Sequence, residues 1–130
     1  MKPALLLVPL LACCASLPVQ QPLSIVGDWG GPHVGLHLSE SGGTLDYDCA
    51  HGTIGRMLVG PDGRFTAEGT HTAEHGGPVR VGEVLPKSRA TYDGVVRGNR
   101  MTLHGRLETG AELGPFELRR GAQPQLYRCL

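Results

Sequence analysis

All 20 glycines of this chain lie beyond residue 26, spaced at turn-like intervals rather than gathered in one tract. Glycine weakens helices, so a chain punctuated this often cannot sustain long ones. No three-residue glycine period exists, which excludes a collagen-like fold. The stretches between glycines alternate apolar and polar residues, the pattern of half-buried strands rather than of disorder. Val34, Leu36 and Leu38 share one face, and Leu45 and Tyr47 share another. Strands are expected over 34–38, 44–48, 53–59, 64–70, 90–97, 101–107, 111–119 and 126–129. Gly60-Pro61-Asp62-Gly63 and Gly98-Asn99 are strong turn signals between them.

About eight strands in sequential hairpins make an antiparallel up-and-down meander. Such a meander removes its edges and buries one face most simply by closing into a small barrel. Phe65, Ala67, Tyr92, Val96, Met101 and Leu103 fall on inward faces, with Gly94 and Gly105 placed to let the strands bend. Aromatic residues make up only 5% of the chain, so the interior is either filled by Leu, Val and Met or partly open. Pattern alone leaves both alternatives standing.

The start of the chain has a different character. Lys2 precedes an apolar run, Ala4 to Leu11, which is too short to span a bilayer and has the form of an export signal. Leu10-Leu11-Ala12-Cys13 resembles the lipobox of bacterial lipoproteins. That resemblance implies removal of residues 1–12 and a lipid on Cys13, with an outer-membrane address facing the periplasm. Ordinary secretion, with cleavage after Ala12 or Ala15, is the alternative, giving a periplasmic or secreted protein. Residues 13–26, with Pro18 and Pro22 and no periodicity, read as the lipid-attachment cysteine and a tether. Residues 27–130 form one domain.

Charge is balanced, with 12 Lys+Arg against 12 Asp+Glu interleaved along the chain. This is no footprint for nucleic acid. Cys49 and Cys129 are expected to pair, because an exported chain matures where thiols oxidise. The bond would tie the expected last strand to an early one, worth about 4.5 kcal/mol in the chain-entropy picture.

Gly27-Asp28-Trp29 resembles the Gly-x-Trp opening of lipocalin-like and avidin-like barrels, in which the tryptophan plugs one end. The hairpin from Tyr92 to Gly121 is similar to the last strands of such barrels. The resemblance implies a binding protein, with Trp29 at the base and Tyr92, Met101 and Leu103 lining a site for a small apolar or amphipathic ligand. Trp29-Gly30-Gly31-Pro32-His33 and Asp48-Cys49-Ala50-His51-Gly52 also resemble segments of uncharacterised small exported bacterial proteins, which carries no activity with it. The alternative is an interaction module of the envelope, a structural factor or peptidase inhibitor, with a filled barrel.

Catalytic patterns are thin. His71-Thr72-Ala73-Glu74-His75 fits the His-x-x-Glu-His arrangement of inverted zinc peptidases, but that chemistry needs a helix to bring both histidines to one face. A strand pattern precedes the motif and Gly76-Gly77-Pro78 follows it. His33 and His37, about 13 Å apart on an extended strand, cannot share an ion, and His51 beside Cys49 lacks a ligand spacing. We therefore expect no enzyme, no metal and no cofactor. The interval His71 to Arg89 is long for a compact domain. It is either a lid whose Val79, Val81, Val84 and Leu85 fold over the barrel mouth, an interaction loop, or irregular chain flanking a short strand near 79–84.

Overall fold

The computed structural model describes residues 3–6, 9, 12–16 and 24–130. The expected signal (1–12) and tether (13–26) thus fall partly outside the described residues. Cys13 and Cys14 are exposed free thiols in a stretch without regular structure. Among the described residues, no helix is long and apolar enough to cross a membrane.

The described residues form nine strands. They are β1 (Gly27–Gly31), β2 (Val34–Ser39), β3 (Gly42–Tyr47), β4 (Ala50–Gly55), β5 (Leu58–Val59), β6 (Arg64–Ala73), β7 (Lys87–Arg97), β8 (Arg100–Leu107) and β9 (Glu112–Arg120). Every pairing between these strands is antiparallel. β1 to β4 and β6 to β9 form a closed eight-stranded barrel, sealed by β4 on β6 and by β1 on β9. β5 is an extra two-residue strand on β6. The one stretch expected over 53–59 is interrupted at Arg56-Met57, which carries Met57 into the core.

The strand count agrees with the sequence pattern, but its membership does not. Gly27–Gly31, expected to precede the first strand, is itself a barrel strand. Residues 126–129, expected as the last strand, are not one. Residues 121–130 instead run back over the outside of the β1–β2 hairpin as a strap, joined by a parallel bridge between Pro32 and Gln125. His33 N donates to Gln125 O (2.8 Å), and Gln125 N donates to Gly31 O (3.0 Å). Beneath lies a bare patch made by Gly30 and Gly35, which are cross-strand partners. A Cβ on Gly30 would sit 2.2 Å from Ala122 O, so only glycine permits the approach. The Cys49–Cys129 disulfide, with Cα atoms 5.0 Å apart, then pins the strap's far end.

Every barrel strand contributes to the interior, and among the described residues no polar or charged residue other than tyrosine is buried there. Two inward glycines explain how few rings fill it. Gly94 lies opposite Phe65 and Gly105 opposite Tyr92. A Cβ at either would meet the facing ring at 2.7–3.0 Å. Each ring thus occupies the space that its partner's missing side chain leaves. Tyr47 and Tyr92 satisfy each other in this apolar setting through a 3.0 Å hydroxyl contact. Burial raises the pKa of both.

The barrel has two distinct poles. At the lower one, where β1 begins and β9 ends, Trp29 is almost wholly buried and its indole N–H donates to Ile25 O (3.0 Å). The Arg120 guanidinium lies 4.4 Å over the indole and donates to Val26 O and Ser24 O. The upper pole carries the turns at 32–33 and 48–49, the loop 74–86 and the turn at 108–111.

Candidate functional site

The upper pole gathers most of the chain's chemistry. β6 continues through His71 to Ala73, paired with β4 on one side and, as far as Thr72, with β7 on the other. The irregular interval is therefore 74–86, shorter than the 71–89 expected, and no strand forms near 79–84. Ala73 N donates to Pro86 O at its base, and Glu74 N donates to Cys49 O. Inside the loop, Glu83 N donates to Arg80 O, closing a turn with Gly82 at φ 81°. Glu83 also accepts from Arg80 N (3.2 Å) and from the His75 ring (2.9 Å). Both backbone groups of Arg80 are thus engaged, and neither is free for strand-like pairing with a partner. The loop is a braced protrusion.

That bracing keeps the valines outside. Val79, Val81 and Val84 are 55%, 107% and 91% exposed, which corrects the expectation that they fold over the mouth. Leu85 alone is half-buried. Two non-glycine residues in left-handed backbone stand at the same pole, His33 (φ 69°) and Cys49 (φ 55°). Such conformations cost of order 1–3 kcal/mol and persist only when the surroundings hold them. His33 is held by its ring contact to Asp48, and Cys49 by the disulfide. Asp48 also accepts from Tyr127 N, so one carboxylate joins two turns and the strap. That contact and the His33 contact hold its pKa below the usual range.

Histidine–carboxylate pairing recurs around the barrel wall. His37 lies 2.7 Å from Asp28 and 3.9 Å from Asp46, His51 lies 2.6 Å from Glu74, and His104 lies 3.2 Å from Asp93. The Gly76 carbonyl and Glu83 raise the pKa of His75. His71 is different. It faces inward beside Tyr47, with ring centroids 5.4 Å apart. Its ring has no hydrogen-bond partner among the described residues. Burial, then the neighbouring His51, lowers its pKa. With Phe116 on the other side of Tyr47 (5.6 Å), it lines an open depression of about 260 Å³ at the barrel's upper end.

The His71–His75 motif therefore does not assemble. His71 turns inward, Glu74 meets His51 and His75 meets Glu83. Among the described residues, no group of three or more His, Cys, Asp or Glu side chains is arranged to hold a metal ion.

The four residues expected to line a ligand site all face the interior. Trp29 is sealed under Arg120 at the lower pole, while Tyr92, Met101 and Leu103 lie above it at 0–2% exposure. They are packed against Leu36, Leu45, Phe65 and Leu118 in one core. Two further depressions, about 580 and 430 Å³, open on the outer wall, beside Thr66 and Asp93 and between Arg100 and Gln123. The recurring histidine–carboxylate pairs were missed in the sequence. One signal was available, since Asp28 and His37 are cross-strand partners once β1 is admitted as a strand. Comparison with protein-family models, curated proteins and solved structures finds no match.

Proposed function

We propose that this protein is a non-enzymatic binding module of the bacterial cell envelope, anchored through a lipid on Cys13, that makes its contacts with the upper pole of a filled barrel. The observation that carries this reading is the interior. Side chains from all eight barrel strands occupy it, with Trp29 sealing the lower end and the Tyr47–Tyr92 pair near the upper. A ligand placed among Tyr92, Met101 and Leu103 would first have to displace them. The braced loop 74–86 and the strap end are by contrast already exposed. The address rests on the export pattern and on Leu10-Leu11-Ala12-Cys13, and the Cys49–Cys129 bond is compatible with an oxidising compartment.

A titration with a lipophilic fluorescent probe, N-phenyl-1-naphthylamine, tests the interior. The native protein is expected to leave its emission unchanged. Leu103→Ala, which opens space in the core, is expected to bind it. Stoichiometric binding by the native barrel, abolished by Leu103→Phe, would instead establish an interior ligand site.

A further inference from the structure

Strand register lines up four residues in one row around the lower part of the barrel wall. Gly30 on β1 lies opposite Arg119 on β9, Arg119 opposite Arg100 on β8, and Arg100 opposite Arg97 on β7. Their chain neighbours Trp29, Leu118, Met101 and Val96 are buried. Alternation along each strand therefore sends the three arginines to the outer face, and all three are exposed.

Like charges directly opposite one another across strands are destabilising, and this row holds two such oppositions in succession. No carboxylate relieves them. Among the described residues, none of the three arginines enters an ion pair. Glu117, two residues before Arg119 on the same face, accepts from Thr102 (3.0 and 3.2 Å). Asp28, two residues before Gly30, lies 2.7 Å from His37. With Arg120 over Trp29, four cations stand here against two carboxylates, an excess of positive charge that the fold does not itself use.

The row borders the outer-wall depression of about 430 Å³. The barrel contributes Arg100, Glu117 and Arg119 to its lining, and the strap contributes Ala122, Gln123 and Gln125. The bridge between Pro32 and Gln125 and the disulfide hold the strap in place, so the cleft is already formed. A guanidinium presents a planar fork of donors that matches the oxygens of phosphate or carboxylate. Of the two, a phosphate monoester carries nearly two charges near neutral pH and can relieve both oppositions at once. The cleft also leaves room for an organic substituent beside the strap's glutamine amides.

We infer that the arginine row and the strap edge form a binding site for a phosphate monoester, with the phosphoryl group between Arg100 and Arg119 and Arg97 adding its charge from the flank. The site stands on the outer wall and does not depend on what the upper pole contacts.

The test titrates the full chain with glycerol 3-phosphate at constant ionic strength, followed by NMR of the arginine side-chain Nε–H groups. Saturable shifts at Arg100 and Arg119 are expected. Arg100→Gln and Arg119→Gln are each expected to weaken binding roughly tenfold or more, whereas Arg89→Gln, at the upper pole, leaves it unchanged. Without ligand, the melting temperature of the two row variants is expected to hold or rise, because one member of an opposed pair is gone. Vesicles containing phosphatidic acid separate two sources of the same chemistry. Displacement of glycerol 3-phosphate by these vesicles, and not by phosphatidylcholine alone, assigns a lipid headgroup, and no displacement assigns a soluble ester. Unsaturable shifts, or a loss in the row variants no greater than in Arg89→Gln, overturn the inference. So does a clear fall in the row variants' melting temperature, which would show that the arginines support the fold instead.

Discussion

Gly30→Ala tests the strap, the feature that hairpin logic did not foresee. A β-carbon there would lie 2.2 Å from Ala122 O and 2.8 Å from Pro124 N, both backbone atoms. No rotamer change relieves such a clash, so the strap must lift. Lifting puts at risk the two backbone bonds that join it to His33 and Gly31 and the bond from Tyr127 N to Asp48. Neutral bonds contribute about 1 kcal/mol each, and one to a charged acceptor about 1.5–3. Alanine returns under about 1 kcal/mol by restricting the unfolded chain. The expected net loss is about 2–4 kcal/mol, read as a lower midpoint in urea denaturation at similar slope. Gly35→Ala is the control. Its β-carbon would meet side chains alone, the Pro124 ring at 3.0–3.1 Å and Asp46 Cβ at 4.0 Å, so under about 1 kcal/mol is expected. The Gly30 effect should also shrink when Cys129→Ala frees the strap's far end. A Gly30→Ala protein within about 0.5 kcal/mol of the native one, or no softer than Gly35→Ala, would refute the reasoning.

Two further expectations follow from the core and the histidines. Tyr47→Phe or Tyr92→Phe leaves one buried hydroxyl without its partner and is expected to cost about 1–3 kcal/mol. The double variant is expected to cost clearly less than the sum of the two, as a double-mutant cycle measures; additive losses would show that the hydroxyls do not depend on each other. In NMR titrations, His75 is expected to lose its proton above the ordinary histidine value of about 6.5 and His71 below it. A raised folded value means that the His75–Glu83 clasp is fully present below the unfolded pKa and lost as pH rises through the folded one. The lowered value of His71 works the other way, its contribution present above about 6.5 and lost as pH falls through the folded value. Titration in the reverse order would contradict the geometry of both rings.

The parts of the fold legible in the sequence are those built locally. Gly98-Asn99 turns β7 into β8 as expected, and the alternation through Ala90, Tyr92 and Val96 and through Met101 and Leu103 marks the buried faces. Closure is not local. β1 is Gly-Asp-Trp-Gly-Gly, with almost no β-type signal of its own, yet it carries the seal against β9 because its register offers Trp29 to the core. The segment at 126–129 carries stronger strand-formers and is diverted by a glycine patch and a disulfide partner far away in sequence. The end of β6 was hidden for a related reason. Its inward residues there are Gly69, His71 and Ala73, none large and apolar enough to reveal the alternation. Of the candidate site, the interval holding the loop was visible from its length, and the disulfide from its cysteines. The histidine–carboxylate pairs were not, because each depends on cross-strand register or on turns meeting at one pole.

Methyl NMR on the full chain, titrated with a lipid extract of a bacterial envelope, tests the central claim most directly. A filled barrel predicts that the Met101 and Leu103 methyls stay unmoved throughout the titration. Saturable shifts at Met101 and Leu103 would contradict it and place the ligand inside the barrel.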